Sequence, residues 1–259
     1  MNKPALLLIN LGTPDTPSYF DVFKYLREFL MDGRVIDIPS FFRFILVTLI
    51  ICPIRSFASS KIYKELWDLS GGVSPLLKNT EVLTKKLNSN QNKYNVHFAM
   101  RYQKPSIKKT LEAIKKTNPS ELIVLPLFPH YASATTGSVF QELTKKISKE
   151  WVIPSVRFIS QYYDHPSFIN AWVVAANNFN HQDYDKVVFS YHGLPNSQVN
   201  KVYADNLCDG KNCEHEVNEE NYFCYKSAVY ETSKLIAENI SLPRDKYEVT
   251  FQSILTNNW

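Results

Sequence analysis

His192 follows the apolar run Lys186–Tyr191 (KVVFSY) and precedes Gly193. A short, nearly continuous apolar run predicts a parallel strand. A side chain at the tip of such a strand projects beyond the sheet, where open parallel sheets bind ligands. A neutral imidazole there can ligate a borderline metal such as Fe²⁺ or accept a proton near neutral pH. A structural strand-end histidine is the plainer alternative. Ser190, two residues earlier, shares the strand face and raises the idea of a hydrolase. No Gly-x-Ser-x-Gly elbow exists and Ser190 sits inside the strand, so that idea has no support.

Other strand tips also gather polar groups. Arg101-Tyr102 follows Val96–Met100, and the turn Leu11-Gly12-Thr13-Pro14 follows Ala5–Asn10. His130 and Tyr131 follow Leu122–Leu127 and open a Ser/Thr-rich loop. Thr135, Thr136 and Ser138 are expected N-caps near Gly137, and the loop could alternatively hold an anion at a helix N-terminus. Gly71-Gly72-Val73-Ser74-Pro75 predicts a flexible joint before a helix. No phosphate-loop pattern and no Gly-x-Gly-x-x-Gly occurs, so nothing points to a nucleotide. Cys208, Cys213, His215 and Cys224 read C-x4-C-x-H-x8-C. That spacing admits a zinc ion or an iron–sulfur centre, or free thiols in a surface insertion. Cys52 is expected to pack as a small hydrophobe.

The elements that must position these residues alternate along the chain. Strand-like runs at Ala5–Asn10, Val96–Met100, Leu122–Leu127, Val156–Ser160, Lys186–Tyr191 and Tyr247–Phe251 are separated by helix-length amphipathic segments. The helix candidates are Ser18–Met31, Ser106–Thr117, Gly137–Glu150, His165–Asn178 and Phe223–Asn239. This alternation predicts an α/β fold with right-handed crossovers. The length of 259 residues fits two doubly wound domains dividing near residue 150. A net charge of +4, without a dense basic block, argues against nucleic acid. Four cysteines are too few for a disulfide scaffold, and Met1–Pro4 runs straight into a strand-like segment without a cleavage site. The expected compartment is the reducing cytoplasm.

Phe41–Ile54 (FFRFILVTLIICPI) breaks the pattern. It falls short of the roughly 20 apolar residues that cross a bilayer. It predicts either a buried helix or an apolar lip at a site mouth or membrane surface, rimmed by Arg43, Arg55 and Lys61.

Five of these segments together resemble the ferrochelatase family: L-L-I-N-L-G-T-P at Leu7–Pro14, G-G-V-S-P-L at Gly71–Leu76, M-R-Y at Met100–Tyr102, L-P-L-F-P-H-Y-A-S-A-T-T-G-S at Leu125–Ser138, and S-Y-H-G-L-P at Ser190–Pro195. They occur in order across nearly the whole chain. The resemblance implies two Rossmann-like domains clasping protoporphyrin IX, with ferrous iron inserted to give haem. It implies His192 as metal ligand or proton acceptor. Arg101, Tyr102, Ser74, Leu11 and Pro14 become substrate-binding residues, and segment 41–54 an apolar lip that guides the tetrapyrrole from the inner membrane face.

The sequence departs from the family at its end. Ile254 stands where the family has a basic residue, and Thr256 where it has glycine. A second catalytic carboxylate near S-E-H-x-E is absent, so the chain reads as a truncated second domain, poorly stable and weakly active. Each large side chain left unburied would forfeit roughly 1.5–3 kcal/mol. The alternative is a non-catalytic tetrapyrrole-binding remnant. A chelatase for cobalt or nickel fits less well, because more carboxylated tetrapyrroles would call for a more basic mouth.

Overall fold

The computed structural model describes residues 2–208 and 210–253. Ile254 and Thr256, which carry the expected departure from the family pattern, lie outside the described residues. The described chain forms two compact units, one of residues 2–128 and 133–160, the other of 129–132 and 161–253. The division comes later than residue 150 because the short strand at Val156–Phe158 pairs with the first sheet. Residues 129–132 join the second unit through Tyr162 N–H, which donates to the Pro129 carbonyl at 2.9 Å.

In the first unit, β1 (Ala5–Gly12) leads through α1 (Tyr19–Leu30), α2 (Ser40–Leu69) and α3 (Pro75–Asn90) to β2 (Asn95–Tyr102). Then come α4 (Ile107–Lys115), β3 (Leu122–Pro126), α5 (Ser138–Ile147) and β4 (Val156–Phe158). The sheet is wholly parallel in the order β2-β1-β3-β4. Strand order therefore reverses between β1 and β3, the place where ligands gather in such sheets. Ala5, Leu7 and Ile9 of β1 pack with Ile107 and Ile114 of α4 and Val139, Leu143 and Ile147 of α5. Leu8, on the opposite face, is equally buried. Side chains on both faces are covered, which is why β1 reads as an unbroken apolar run.

Local chemistry sets several boundaries. Ser18, Ser74 and Ser106 each accept a backbone N–H three residues on and cap α1, α3 and α4. Gly71 and Gly72 hold φ of +81° and +84°, and the Gly72 N–H donates to the Trp67 carbonyl at 2.8 Å. The expected flexible joint is thus a hydrogen-bonded turn that ends α2. Gly12 has φ +114°, and a Cβ there would sit 2.0 Å from the Tyr102 carbonyl oxygen.

Two expectations change in this unit. Thr135, Thr136 and Ser138 are not N-caps: a π-helical turn at Ser133–Gly137 runs directly into α5, and Gly137 makes no side-chain cap bond. That continuity moves the start of the helix back to Ser133. Segment 41–54 is not a separate buried helix. It begins the 30-residue α2, which by length and composition could cross a membrane. The helix passes Pro53, which cannot donate a backbone N–H, because Ile45–Ile51 form a π-helical stretch and the Cys52 N–H reaches back to the Val47 carbonyl. Phe41, Phe42, Leu49, Ile54, Phe57 and Ile62 are all more than 60% exposed. Arg43 is no rim charge, since its Nη1 donates to the Ile36 and Ile38 carbonyls at 2.9 and 3.0 Å.

The second unit contains α6 (Pro166–Ala176), β5 (Val187–His192), α7 (Asn196–Asn200), α8 (Tyr225–Asn239) and β6 (Tyr247–Gln252). Here β5 and β6 pair in parallel, from Val187↔Tyr247 to His192↔Gln252. Val187, Phe189 and Val249 pack with Ala237 and Leu242. Val188, Ser190 and His192 alternate with them and are exposed.

Candidate functional site

His192 is the last residue of β5 and carries an exposed imidazole. The period of two that predicted its shared face with Ser190 holds. In the parallel register the same face also carries Glu248, Thr250 and Gln252. Glu248 is held by Lys186, Nζ to Oε1 at 3.0 Å. The strand tip thus offers an unshielded nitrogen base at a sheet edge, able to take a proton or to hold a borderline metal ion briefly.

His130 has the opposite surroundings. Its ring lies among Tyr163, Phe168, Tyr191 and Tyr225. Its Nε2 is 2.9 Å from the Thr232 hydroxyl, which itself donates to the Tyr163 carbonyl at 3.0 Å. Thr232 has given its proton to that carbonyl, so His130 Nε2–H is the donor, which fixes the tautomer. Burial lowers the His130 pKa to about 4. His130 is therefore a neutral packing residue.

Arg101 and Tyr102 are part of β2 itself, not of a loop after it, and they meet two residues remote in sequence. Arg101 Nη2 is 2.6 Å from Asp32 Oδ2, and Arg101 Nε donates to Ser138 Oγ at 2.7 Å. Tyr102 and Ser138 hydroxyls both donate to Asp32 Oδ2, at 2.9 and 2.5 Å. Burial alone would raise the Asp32 pKa. The Ser138 and Arg34 hydrogen bonds, the Arg101 charge and the Tyr102 hydroxyl outweigh it and hold the carboxyl below its ordinary value. Tyr102 is fully buried. It stands behind Arg101 and Asp32 with no exposed surface. Burial raises its pKa strongly, so it stays a neutral hydrogen-bond donor.

The other candidates are distributed around the first unit. Pro14 and Ser74 line an open cavity of about 750 Å³ together with Thr13, Trp67 and His97. His97 Nε2 is buried there without a hydrogen-bond partner among the described residues, and burial lowers its pKa. The volume suits a ligand of several rings. Leu11 is half-buried within β1, where its N–H is bonded to Asn10 Oδ1 at 2.8 Å. Arg101 lines a second cavity, of about 620 Å³.

The cysteines do not assemble into a metal site. Among the described residues no three His, Cys, Asp or Glu side chains converge to hold an ion. Instead Cys213 and Cys224 are buried with Val199 and Tyr203, Cys208 packs against them, and the Tyr203 hydroxyl lies 3.0 Å from Cys213 Sγ. The zinc or iron–sulfur reading of Cys208, Cys213 and Cys224 therefore gains nothing from the geometry. Cys52 is buried, as expected of a small hydrophobe.

Asp32 and the linking role of Ser138 were missed in the sequence. A signal existed: Asp32 follows the C-terminus of α1, where the helix dipole disfavours an anion, which made a compensating cation worth seeking.

Comparison with known proteins accords with this arrangement. The ferrochelatase family model matches residues 3–259. A ferrochelatase of Coxiella burnetii (strain Dugway 5J108-111) is 40% identical over 258 residues, 98% of this chain and 71% of that protein. One from Legionella pneumophila (strain Paris) is 39% identical over 254 residues, 98% of this chain and 75% of that protein.

Proposed function

From the premise that the chain belongs to the ferrochelatase family, we propose that it inserts ferrous iron into protoporphyrin IX to give protohaem, with His192 as the residue at the reacting face. Metallation breaks two pyrrole N–H bonds, forms bonds from nitrogen to iron, and releases two protons. The imidazole of His192 accepts one of these protons and passes it to water while the other goes directly to solvent water, or it holds the incoming Fe²⁺ and then yields it as both protons pass to water. Its exposure at the strand tip supports either task, since the ring needs no rearrangement to meet a ligand. A planar macrocycle hides its nitrogen lone pairs in the ring plane. Wall contacts that favour a saddled ring would lower the barrier by binding the distorted form better. The non-catalytic remnant is not favoured, because named ferrochelatases match 98% of the chain.

The single observation that carries this reading is the exposed His192 within the matched Ser190–Pro195 motif. A His192→Ala variant should lose about 100-fold or more in iron insertion while still quenching porphyrin fluorescence on binding. Metallation at the wild-type rate would remove His192 from the mechanism.

We further assign the exposed face of α2 to a seat on the cytoplasmic membrane surface. Its aromatic and aliphatic side chains support burial at a headgroup boundary. Flotation with phospholipid vesicles should recover the protein, and Phe41→Ser/Phe42→Ser/Leu49→Ser should leave it at the bottom of the gradient. Equal recovery of both would discard the membrane seat.

A further inference from the structure

The cavity of about 620 Å³ beside β2 has a charge pattern that its sequence conceals. Three carboxylates border it, and each is already engaged within the protein. Asp32 takes Arg101, Tyr102 and Ser138. Glu28 accepts from the Gln103 backbone N–H at 3.1 Å and from its side-chain amide. Glu142 lies 3.0 Å from Lys146 Nζ. The cations at the same wall are differently placed. Lys24 and Arg27 have no carboxylate partner among the described residues, and Arg27 donates through Nε to Thr48 at 3.3 Å. Arg101 uses Nε and Nη2 on Ser138 and Asp32, and no hydrogen bond is made by Nη1 among the described residues. Phe23 and Met31 supply apolar surface beside these charges. Such a wall suits an apolar ligand that carries a carboxylate.

We propose that Asp32 is a positioning residue: with Ser138 it fixes the Arg101 guanidinium so that the remaining N–H groups bind a carboxylate arm of the tetrapyrrole. The inference rests on the tetrapyrrole reading above. An unbraced arginine has many rotamers and would lose their entropy on binding. The hydrogen bonds from Nε and Nη2 restrict the guanidinium before the ligand arrives. Tyr102, fully buried, holds the second side of the same carboxylate oxygen and blocks its movement.

The test compares protoporphyrin IX with its dimethyl ester, whose arms carry no charge, by fluorescence quenching and by steady-state metallation. Wild-type protein should bind the diacid more tightly than the ester. Asp32→Asn should weaken diacid binding about tenfold, the entropy of ordering an arginine side chain that is no longer held in place. It should leave the ester unchanged and raise KM for the diacid without lowering kcat. Arg101→Lys should not restore the preference, because an ammonium lacks the planar fork. Should Asp32→Asn fail to fold by thermal unfolding, Ser138→Ala carries the test, with an expected diacid loss of about threefold. Parallel weakening of both porphyrins would mean a purely structural role and would overturn the proposal. Equal binding of diacid and ester by the wild type would overturn it while leaving the tetrapyrrole reading intact. Failure of the wild type to bind either porphyrin would end both.

Discussion

The two parallel sheets of this chain treat their faces differently. In β1, Leu7 and Ile9 on one face and Leu8 on the other are all buried. In β5 only Val187, Phe189 and Tyr191 are partly covered, while Val188, Ser190 and His192 face outward. Both runs look alike in sequence, ALLLIN against KVVFSY. The difference lies in what packs on them: helices cover both faces of the first sheet, whereas α8 and its neighbours cover one face of the second. A catalytic imidazole needs the second arrangement, since the same histidine on β1 would be desolvated and neutral. His130 illustrates the point inside the second unit, where it packs against Tyr191 from the covered side.

The contrast between the two faces of β5 can be strained with acid. His130 is neutral when folded down to about pH 4, but the unfolded imidazole binds a proton below about pH 6.5. The unfolded state therefore gains protons first, and stability falls as pH drops from about 6.5 to about 4. The expected loss is about 2–3 kcal/mol once pH reaches the folded pKa. Urea midpoints measured at pH 7 and pH 4.5 should separate more for the wild type than for His130→Gln. An equal separation would mean that other groups cause the loss.

A smaller effect sharpens the contrast between sheets. Val124→Thr places a hydroxyl in the closed core of β3, where Val124 has no exposure. It should cost about 1–3 kcal/mol. Val188→Thr makes the same change on the outward face of β5, where 55% of the residue is exposed. It should stay within about 0.5 kcal/mol. Comparable costs in the two variants, read from chemical denaturation, would show that the outward face is covered in solution.

Much of the fold was readable because its signals are local. Ser18, Ser74 and Ser106 announce helix starts through their own side chains. The apolar runs located the six strands of the described residues to within two residues. The site was only half readable. His192 could be placed because strand period and strand end are both written in six consecutive residues. His130 looked equally suited to chemistry, yet its burial depends on Tyr163, Phe168, Tyr191 and Tyr225, as far as 95 positions along the chain.

The sequence alone therefore determined the α/β class, the strand and helix starts and the outward position of residue 192, since each follows from neighbours within one or two turns of backbone. Tertiary structure decided which titratable groups are dry, where the thiols pack, how α2 continues past Pro53 with its apolar side chains bare, and that Arg101 is braced by Asp32 and Ser138, 69 and 37 positions away. Those outcomes turn on desolvation and on hydrogen bonds between remote segments, and neither has a value until the chain has closed on itself.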